Sequence, residues 1–391
     1  MIPFEDAYKI VLAHARPLTA RETVPLEQAV GRVLAVPVKA DRAIPPYDRV
    51  AVDGYACRRA DLPGPLTLLE TVGAGALPQK RVEPGTCIRV MTGGVTPQGA
   101  DMIVMVEDAA ETAERSITAT CIDKNVNIAR KGEDAAAGET LVEAGVRLSE
   151  KHVATLASVG AVALTVWRRP RVAILSTGDE VIPPEQTPQA HQIRNSNGPT
   201  LAALCGRAGA EVTFAGLVPD RIEALEAAIG TALEQNDLVL VTGGVSKGNF
   251  DFVPAAVSRC GCTIRFDQVA IKPGKPTTFA VGEGKTFFGL PGNPVSVFVT
   301  FELFVRPFID KTGGVAAAPA ELILPIGGRY ERRATEREEW TPATIRGGRA
   351  NPLGYHGSGH FHVLAGADCI IRIPVGVAEV AAGEGLRARL L

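Results

Sequence analysis

Aromatic residues are scarce in this chain, 5% of 391, and neither sign of charge dominates: 41 Lys and Arg against 43 Asp and Glu leave a net charge of −2. A global basic field that would collect nucleic acid or an anionic membrane is therefore missing, although a local basic cleft stays compatible with this balance. Long apolar runs are missing too. A spanning helix needs about 18 uninterrupted apolar residues, and the most apolar stretch, residues 294–309, is broken by Ser296, Thr300, Glu302 and Arg306. The opening Met1-Ile2-Pro3-Phe4-Glu5-Asp6 lacks the basic and apolar segments of a secretory signal, so no export is expected. Cysteine is sparse and unpaired. There are 7, an odd number, and the only close pair, Cys260 and Cys262, has one residue between its members, where zinc and redox pairs have two or more. Free thiols in a reducing cytoplasm are expected.

What is present is ordinary globular material, 46% hydrophobic and 21% charged, with 41 Gly and 28 Pro promising many turns. At about 150 residues per domain the length suggests two or three domains. Three zones are expected. Residues 1–166 open with a helix, because Phe4, Ala7, Tyr8, Val11, Leu12 and Ala15 recur at helical spacing, and Pro17 stops it. Short strands at 66–72, 87–91 and 102–106 follow, inside an inserted piece of roughly residues 41–140, and a helix capped by Ser149 ends near Gly160. Residues 167–312 alternate strands (171–176, 211–218, 237–242) with helices (from about Pro199 to near Gly209, and 221–235). That pattern predicts a doubly wound parallel sheet with ligands at the carboxyl ends of its strands. Asp220 and Glu223 have the spacing of a capping box. Residues 313–391 lose the helical period; strands at 321–326, 363–364, 369–373 and 386–391 suit a small β-barrel or sandwich.

The chemistry-bearing loops follow the strands of the middle zone. Thr177-Gly178-Asp179-Glu180 offers a hydroxyl and two acids suited to Mg²⁺ and a ribose or phosphate, or else is a surface turn. In Thr242-Gly243-Gly244-Val245-Ser246-Lys247-Gly248-Asn249-Phe250-Asp251, glycines let backbone amides approach a phosphate, Ser246 and Lys247 add a donor and a charge, and Asp251 can hold a cation. The Gly-Lys-Ser/Thr of a Walker motif is missing. Lys272-Pro273-Gly274-Lys275-Pro276 sets two ammonium groups on a stiff turn, fit for an oxyanion or simply solvated. Leu290-Pro291-Gly292-Asn293-Pro294 leads into the longest apolar helix, with Asn293 as N-cap and Pro294 as first helical residue. Its free amides suit an anion, or the helix is only well capped. By local chemistry Asp53 and Asp134 do not rise above turn residues. His356, His360 and His362 have no acidic or cysteine partner nearby, which argues against a metal.

Read in order, these loops resemble the molybdopterin molybdenumtransferase family, the bacterial MoeA type and the C-terminal domain of gephyrin. The resemblance runs through Pro45-Pro46-Tyr47-Asp48, Val52-Asp53-Gly54-Tyr55-Ala56, Arg89-Val90-Met91-Thr92-Gly93, Gly99-Ala100-Asp101 and Gly132-Glu133-Asp134. It continues through Ser176-Thr177-Gly178-Asp179-Glu180, Gly243-Gly244-Val245-Ser246 with Asp251, the Lys272–Pro276 turn and Leu290-Pro291-Gly292-Asn293-Pro294. It implies a multidomain α/β plus β subunit: β-rich N-terminal domains, a central doubly wound α/β domain like the molybdopterin adenylyltransferase, and a C-terminal β-barrel. The reaction it implies joins molybdate to adenylylated molybdopterin and releases AMP, with Mg²⁺, in a cytoplasmic homodimer. Transient contact with the adenylyltransferase and with downstream molybdenum cofactor enzymes is also implied. The family's functional acids fall on Asp53, Asp134, Glu180, Asp220 and Asp251, its functional prolines on Pro291 and Pro294. Glu180 and Asp251 are the expected Mg²⁺ contacts. Thr177, Gly243, Gly244, Ser246, Lys272, Lys275 and Asn293 are expected to bind substrate. First-zone acids are expected to complete the cleft across the dimer interface. Val50, Ala129, Arg194 and Asn195 depart from the commoner pattern. Two alternatives remain: an adenylyltransferase-like enzyme, although Gly243-Gly244-Val245-Ser246 replaces its Gly-Gly-Thr-Gly, and a non-catalytic molybdopterin-binding scaffold, although all five acids are kept.

Overall fold

A computed structural model describes residues 1–112, 115–244, 252–316, 320–354, 357 and 359–391. The chain forms two compact units, one of residues 36–143 and 150–163, the other of 1–35, 144–149 and 164–391.

The larger unit is built on a six-stranded sheet. Its strands are β1 (Arg171–Thr177), β2 (Glu211–Val218), β3 (Leu238–Thr242), β4 (Thr263–Phe266), β5 (Thr278–Gly282) and β6 (Lys285–Leu290), in the order β2-β1-β3-β6-β5-β4. β1 runs parallel to β2 and β3, and β3 to β6. The sheet is not wholly parallel as expected: β5 lies antiparallel to β6 and to β4. The cause is local. Gly282 pairs with Lys285, so only Glu283 and Gly284 join the two strands, and so short a turn can only reverse the chain.

Strands β1 and β3 are buried along nearly their whole length, which is why they read as continuous apolar runs. One face is covered by α1 (Asn197–Arg207), α4 (Pro294–Thr300) and α5 (Arg306–Thr312), joined by the amino-terminal helix Phe4–His14. The other is covered by α2 (Ile222–Gln235) and α3 (Val253–Arg259). A π turn, Phe301–Val305, links α4 to α5. It holds the buried Glu302, whose carboxylate accepts from Arg207 and, at 2.8 Å, from Arg306. The C-terminal strands form a second sheet: Glu338–Arg346, Cys369–Ile373, Gly385–Leu390 and Glu321–Pro325 in sequence, with Ile271–Lys272 joined parallel at its edge.

The smaller unit carries its own six-stranded sheet, with Gly54–Cys57 between Met102–Met105 and Thr86–Val90. A side chain on Gly54 would put its Cβ 2.1 Å from the Val104 carbonyl oxygen, so only glycine fits there. Val50 is fully buried in this unit's core, which explains an apolar residue at that position.

Three expectations need correction. Asp220 is not an N-cap: α2 begins at Ile222, Arg221 occupies the cap position, and no side chain caps it. α1 begins at Asn197, two residues before Pro199, because the Asn195 carboxamide accepts from the Gly198 amide at 2.9 Å and fixes the first turn. Val363 and Leu364 lie in a 3₁₀ helix, Phe361–Gly366, not a strand; two apolar neighbours carry no period of their own.

Candidate functional site

The carboxyl ends of the parallel strands come together because their register aligns Ser176 with Thr242 and Thr242 with Leu290. The loops that follow are then tied by side chains. Asn197 donates from its carboxamide nitrogen to the Thr242 hydroxyl at 3.0 Å and to the Gly292 carbonyl at 2.7 Å. Thr242 donates onward to the Pro291 carbonyl at 3.0 Å. The Thr177 hydroxyl donates to the Asp220 carboxylate, and the Asp220 amide donates to Asp179 at 3.2 Å. Gly243 has a φ of +94°, and a Cβ there would stand 2.4 Å from the Thr177 carbonyl oxygen. Two strand ends approach so closely that only glycine allows it.

These residues enclose a cleft of about 700 Å³, lined by Thr177, Glu180, Asp220, Gly243, Gly244, Asn293 and Pro294, among others. Ser176 and Asn197 also line it, and the Ser176 hydroxyl and the Asn197 carboxamide oxygen are buried without a hydrogen-bond partner among the described residues. Buried polar atoms are nearly always paired, which makes both of them candidate ligand contacts. Phe361, from the 3₁₀ helix, and Arg194, whose guanidinium donates to the Gln186 carbonyl at 3.0 Å, stand at the rim.

A second cleft, of about 1100 Å³, adjoins the first and shares Pro276, Gly292 and Asn293 with it. Lys272, Lys275, Pro291 and Arg337 line this one. Because Ile271–Lys272 pairs with Glu338 and Glu339, Lys272 faces Glu339, and its ammonium lies 3.1 Å from that buried carboxylate. Arg337 is braced on the Ile271 carbonyl at 3.2 Å. Lys275 is exposed and has no ion-pair partner among the described residues. The two ammonium groups of the turn are thus unequal: among the described residues Lys272 shares the Glu339 carboxylate with Arg332, and Lys275 has no acidic partner. Asn293 does occupy the N-cap of α4, but its side chain makes no capping hydrogen bond.

Glu180 and Asp220 therefore line one cleft, and Lys272 and Lys275 its neighbour. Asp251 and Ser246 lie outside the described residues, as does His356. Among the described residues no group of three or more His, Cys, Asp or Glu side chains is arranged to hold a metal by itself. Asp53 and Asp134 belong to the smaller unit. There the Asp53 carboxylate accepts from the Thr92 hydroxyl at 2.6 Å and from the Thr92 amide at 2.7 Å, and these bonds hold its pKa below the usual carboxylate range. Nearby in sequence, Asp48 is held low by the Lys131 amide and the Arg130 guanidinium. The buried thiols behave oppositely: burial pushes Cys57, Cys87 and Cys205 up to about 12, which leaves them protonated and unreactive.

Ser176, Asn197, Arg337 and Glu339 were not among the expected site residues. The run Asn195-Ser196-Asn197 at the start of α1 was a usable signal for Asn197; Glu339 and Arg337 had none, since only strand pairing brings them to the lysine turn.

Family models match nearly end to end: the MoeA N-terminal region (domain I and II) over residues 2–160, a probable molybdopterin binding domain over 173–311, and the MoeA C-terminal region (domain IV) over 328–391. A molybdopterin molybdenumtransferase of Staphylococcus aureus (strain MRSA252) is 31% identical, covering 98% of this chain and 94% of its own. The chain belongs to the molybdopterin molybdenumtransferase family. Its place there makes it a transferase of molybdenum cofactor biosynthesis. A Staphylococcus epidermidis member (strain ATCC 12228 / FDA PCI 1200) is 33% identical over 92% of this chain and 88% of its own. The fold agrees along its whole length with the molybdopterin biosynthesis MoeA protein of Pyrococcus horikoshii OT3, with a TM-score of 0.87 at 29% identity and 100% of both chains covered.

Proposed function

We propose that the protein inserts molybdenum from molybdate into adenylylated molybdopterin, with release of AMP and dependence on Mg²⁺. The observation that carries this reading is the adjacency of two clefts of opposite character, one with the Glu180 and Asp220 carboxylates, the other with Lys275, which has no ion-pair partner among the described residues, the two sharing Gly292 and Asn293. Molybdate and a phosphoanhydride are both anions. Two unit charges 4 Å apart repel by about 4 kcal/mol at an effective dielectric of about 20, so a site that joins them must supply positive charge.

In this reading the main-chain amide of Gly244 and the Thr177 loop bind the phosphoanhydride, while the Gly243 amide is held by the Leu290 carbonyl. Lys275 attracts molybdate, helped by the amino end of α4. Lys272, paired with Glu339, orients rather than neutralises. The Ser176 hydroxyl and the Asn197 oxygen take polar groups of the pterin substrate. Mg²⁺ suits the donor set, because it is held by one or two carboxylates together with substrate phosphates and its own waters. Glu180 and Asp220 supply hard oxygens for it, with Asp251 as the further expected contact. When bound, the ion would offset charge that develops on the phosphoryl oxygens. Asp220 accepts from the Thr177 hydroxyl and fixes its orientation.

The deciding measurement is AMP release from adenylylated molybdopterin with and without molybdate and Mg²⁺. Molybdate-dependent release that falls in Glu180→Ala supports the reading; release indifferent to molybdate and to Glu180→Ala overturns it. The homodimer is part of the proposal, with Asp53 and Asp134 of one copy serving the cleft of the other. Mixing Asp53→Ala with Glu180→Ala protein then restores activity in the heterodimer, which gains one intact site. No recovery after subunit exchange rejects that arrangement.

A further inference from the structure

The central sheet has a second polar cleft, about 890 Å³, at its other end. Asp237, just before β3, and Lys285, the first residue of β6, line it. It therefore opens at the amino ends of strands whose carboxyl ends form the site above. Three cations, Arg16, Arg265 and Lys285, border this space. None has a hydrogen-bond or ion-pair partner among the described residues.

Two acids share the cleft, and one is already engaged. Asp237 accepts from both ends of the Arg168 guanidinium, at 3.0 Å and 3.0 Å, and from the Arg171 amide at 2.7 Å. Only Glu283, exposed in the β5–β6 turn, is left to oppose three cations. Two helices end here, at His14 and Thr312, and helix carboxyl ends attract cations. Apart from those of Ala13 and His14, their last carbonyls are occupied. Those of Ile309, Asp310, Lys311 and Thr312 accept from the Gly313, Val315, Gly314 and Leu18 amides. Those of Ile10, Val11 and Leu12 are bonded to the His14 ring, the Ala15 amide and the Lys311 ammonium. None of the three cations donates to a helix-end carbonyl among the described residues, so helix capping leaves them unexplained.

A separate observation points to a ligand. Thr312 lines the cleft, is 5% exposed, and its hydroxyl is buried without a hydrogen-bond partner among the described residues. Leaving such a group unpaired costs about 1–3 kcal/mol, which a ligand oxygen would relieve.

We propose that this cleft binds a small soluble phosphate-bearing anion of at least two negative charges, at a place separate from the site of metal insertion. Arg16 and Arg265 present planar forks that match phosphoryl oxygens, Lys285 adds a point charge, and the Thr312 hydroxyl donates to one oxygen. The volume accommodates a ligand the size of a nucleotide.

The test uses the full chain and inorganic pyrophosphate, with acetylation of Lys285 read by peptide mass spectrometry. Saturating pyrophosphate is expected to slow Lys285 acetylation by about tenfold, and chloride at equal ionic strength is not. The protection persists in Lys275→Glu, which disables the other cation cleft, and disappears in Arg265→Glu. AMP release is unchanged in Arg265→Glu. A Lys285 rate that pyrophosphate leaves unaltered, or that chloride slows equally, overturns the proposal. If Arg265→Glu does not fold, the labelling of the unsubstituted protein decides alone.

Discussion

At the carboxyl ends of β1, β3 and β6 the polar side chains are bonded to one another: Thr177 to Asp220, Asn197 to Thr242 and Gly292, and Thr242 to Pro291. At the amino ends of the same strands Arg16, Arg265 and Lys285 stand without side-chain partners among the described residues, around a hollow of comparable size. The first arrangement fixes shape through short, mostly neutral contacts, and salt hardly reaches it. The second acts through charge at a distance and is screened within a Debye length of about 8 Å at physiological ionic strength. One sheet thus offers a preorganised end and an electrostatic end, and substitutions should separate them.

The largest contrast is expected between two glycines. Gly243→Ala forces a Cβ to 2.4 Å from the Thr177 carbonyl at a φ of +94°. A loss of about 2–4 kcal/mol in urea unfolding is expected, with AMP release abolished. Gly284→Ala at the opposite end meets nothing within 4 Å at a φ of +65°, and about 1 kcal/mol is expected there. Equal effects at the two positions would erase the distinction.

Next come the acids. Asp220→Asn and Glu180→Gln should each lower AMP release by about a hundredfold with an unchanged melting temperature, as for groups that act on developing charge. Lys285→Gln should leave the rate unaltered. A smaller effect follows from Asn197→Ala, which removes two hydrogen bonds between loops. It should cost about 1–2 kcal/mol of stability, with little dependence on salt; a strong salt dependence would move this position to the electrostatic class.

The smallest effect lies in the other unit. The Thr92 bonds depress the pKa of Asp53 in the folded protein. Their stabilisation is therefore complete above the unfolded value of about 3.9 and is lost as pH falls through the lower folded value. Thr92→Val should raise the Asp53 pKa toward the ordinary value, read by carbon NMR titration, and narrow the acid limit of stability. An unmoved Asp53 would show that something other than the Thr92 hydroxyl holds it.

Much of the fold was legible because its elements have clean periods. The amino-terminal helix, the strands Leu66–Val72, Glu211–Val218 and Cys369–Ile373, and the alternation of β1 to α2 follow from apolar spacing. The antiparallel β5–β6 hairpin and the nine-residue strand Glu338–Arg346 went unseen, since neither alternates strongly: six of that strand's nine residues are buried in succession, Glu338 and Glu339 among them. Within the site, the motif loops pointed to Thr177, Glu180, Gly243 and Lys275. The capping-box spacing misread Asp220, because three residues to Glu223 also suits an acid that instead accepts from a hydroxyl 43 residues earlier; the resemblance had counted it among the functional acids, and it lines the cleft.

The sequence by itself determined the elements, the loops that carry chemistry and the family, because these depend on near neighbours and on the order of short motifs. Only the tertiary structure decided which charges are available. Lys272 and Lys275 are equivalent in the text of their turn, yet Lys272 is matched by Glu339 across a strand pairing and Lys275 is not. Five cationic or acidic side chains scattered from Arg16 to Lys285 read as a solvated surface until the sheet brings its amino ends together. Charge acts through space, and the distance between two charged groups is set by packing between segments far apart along the chain.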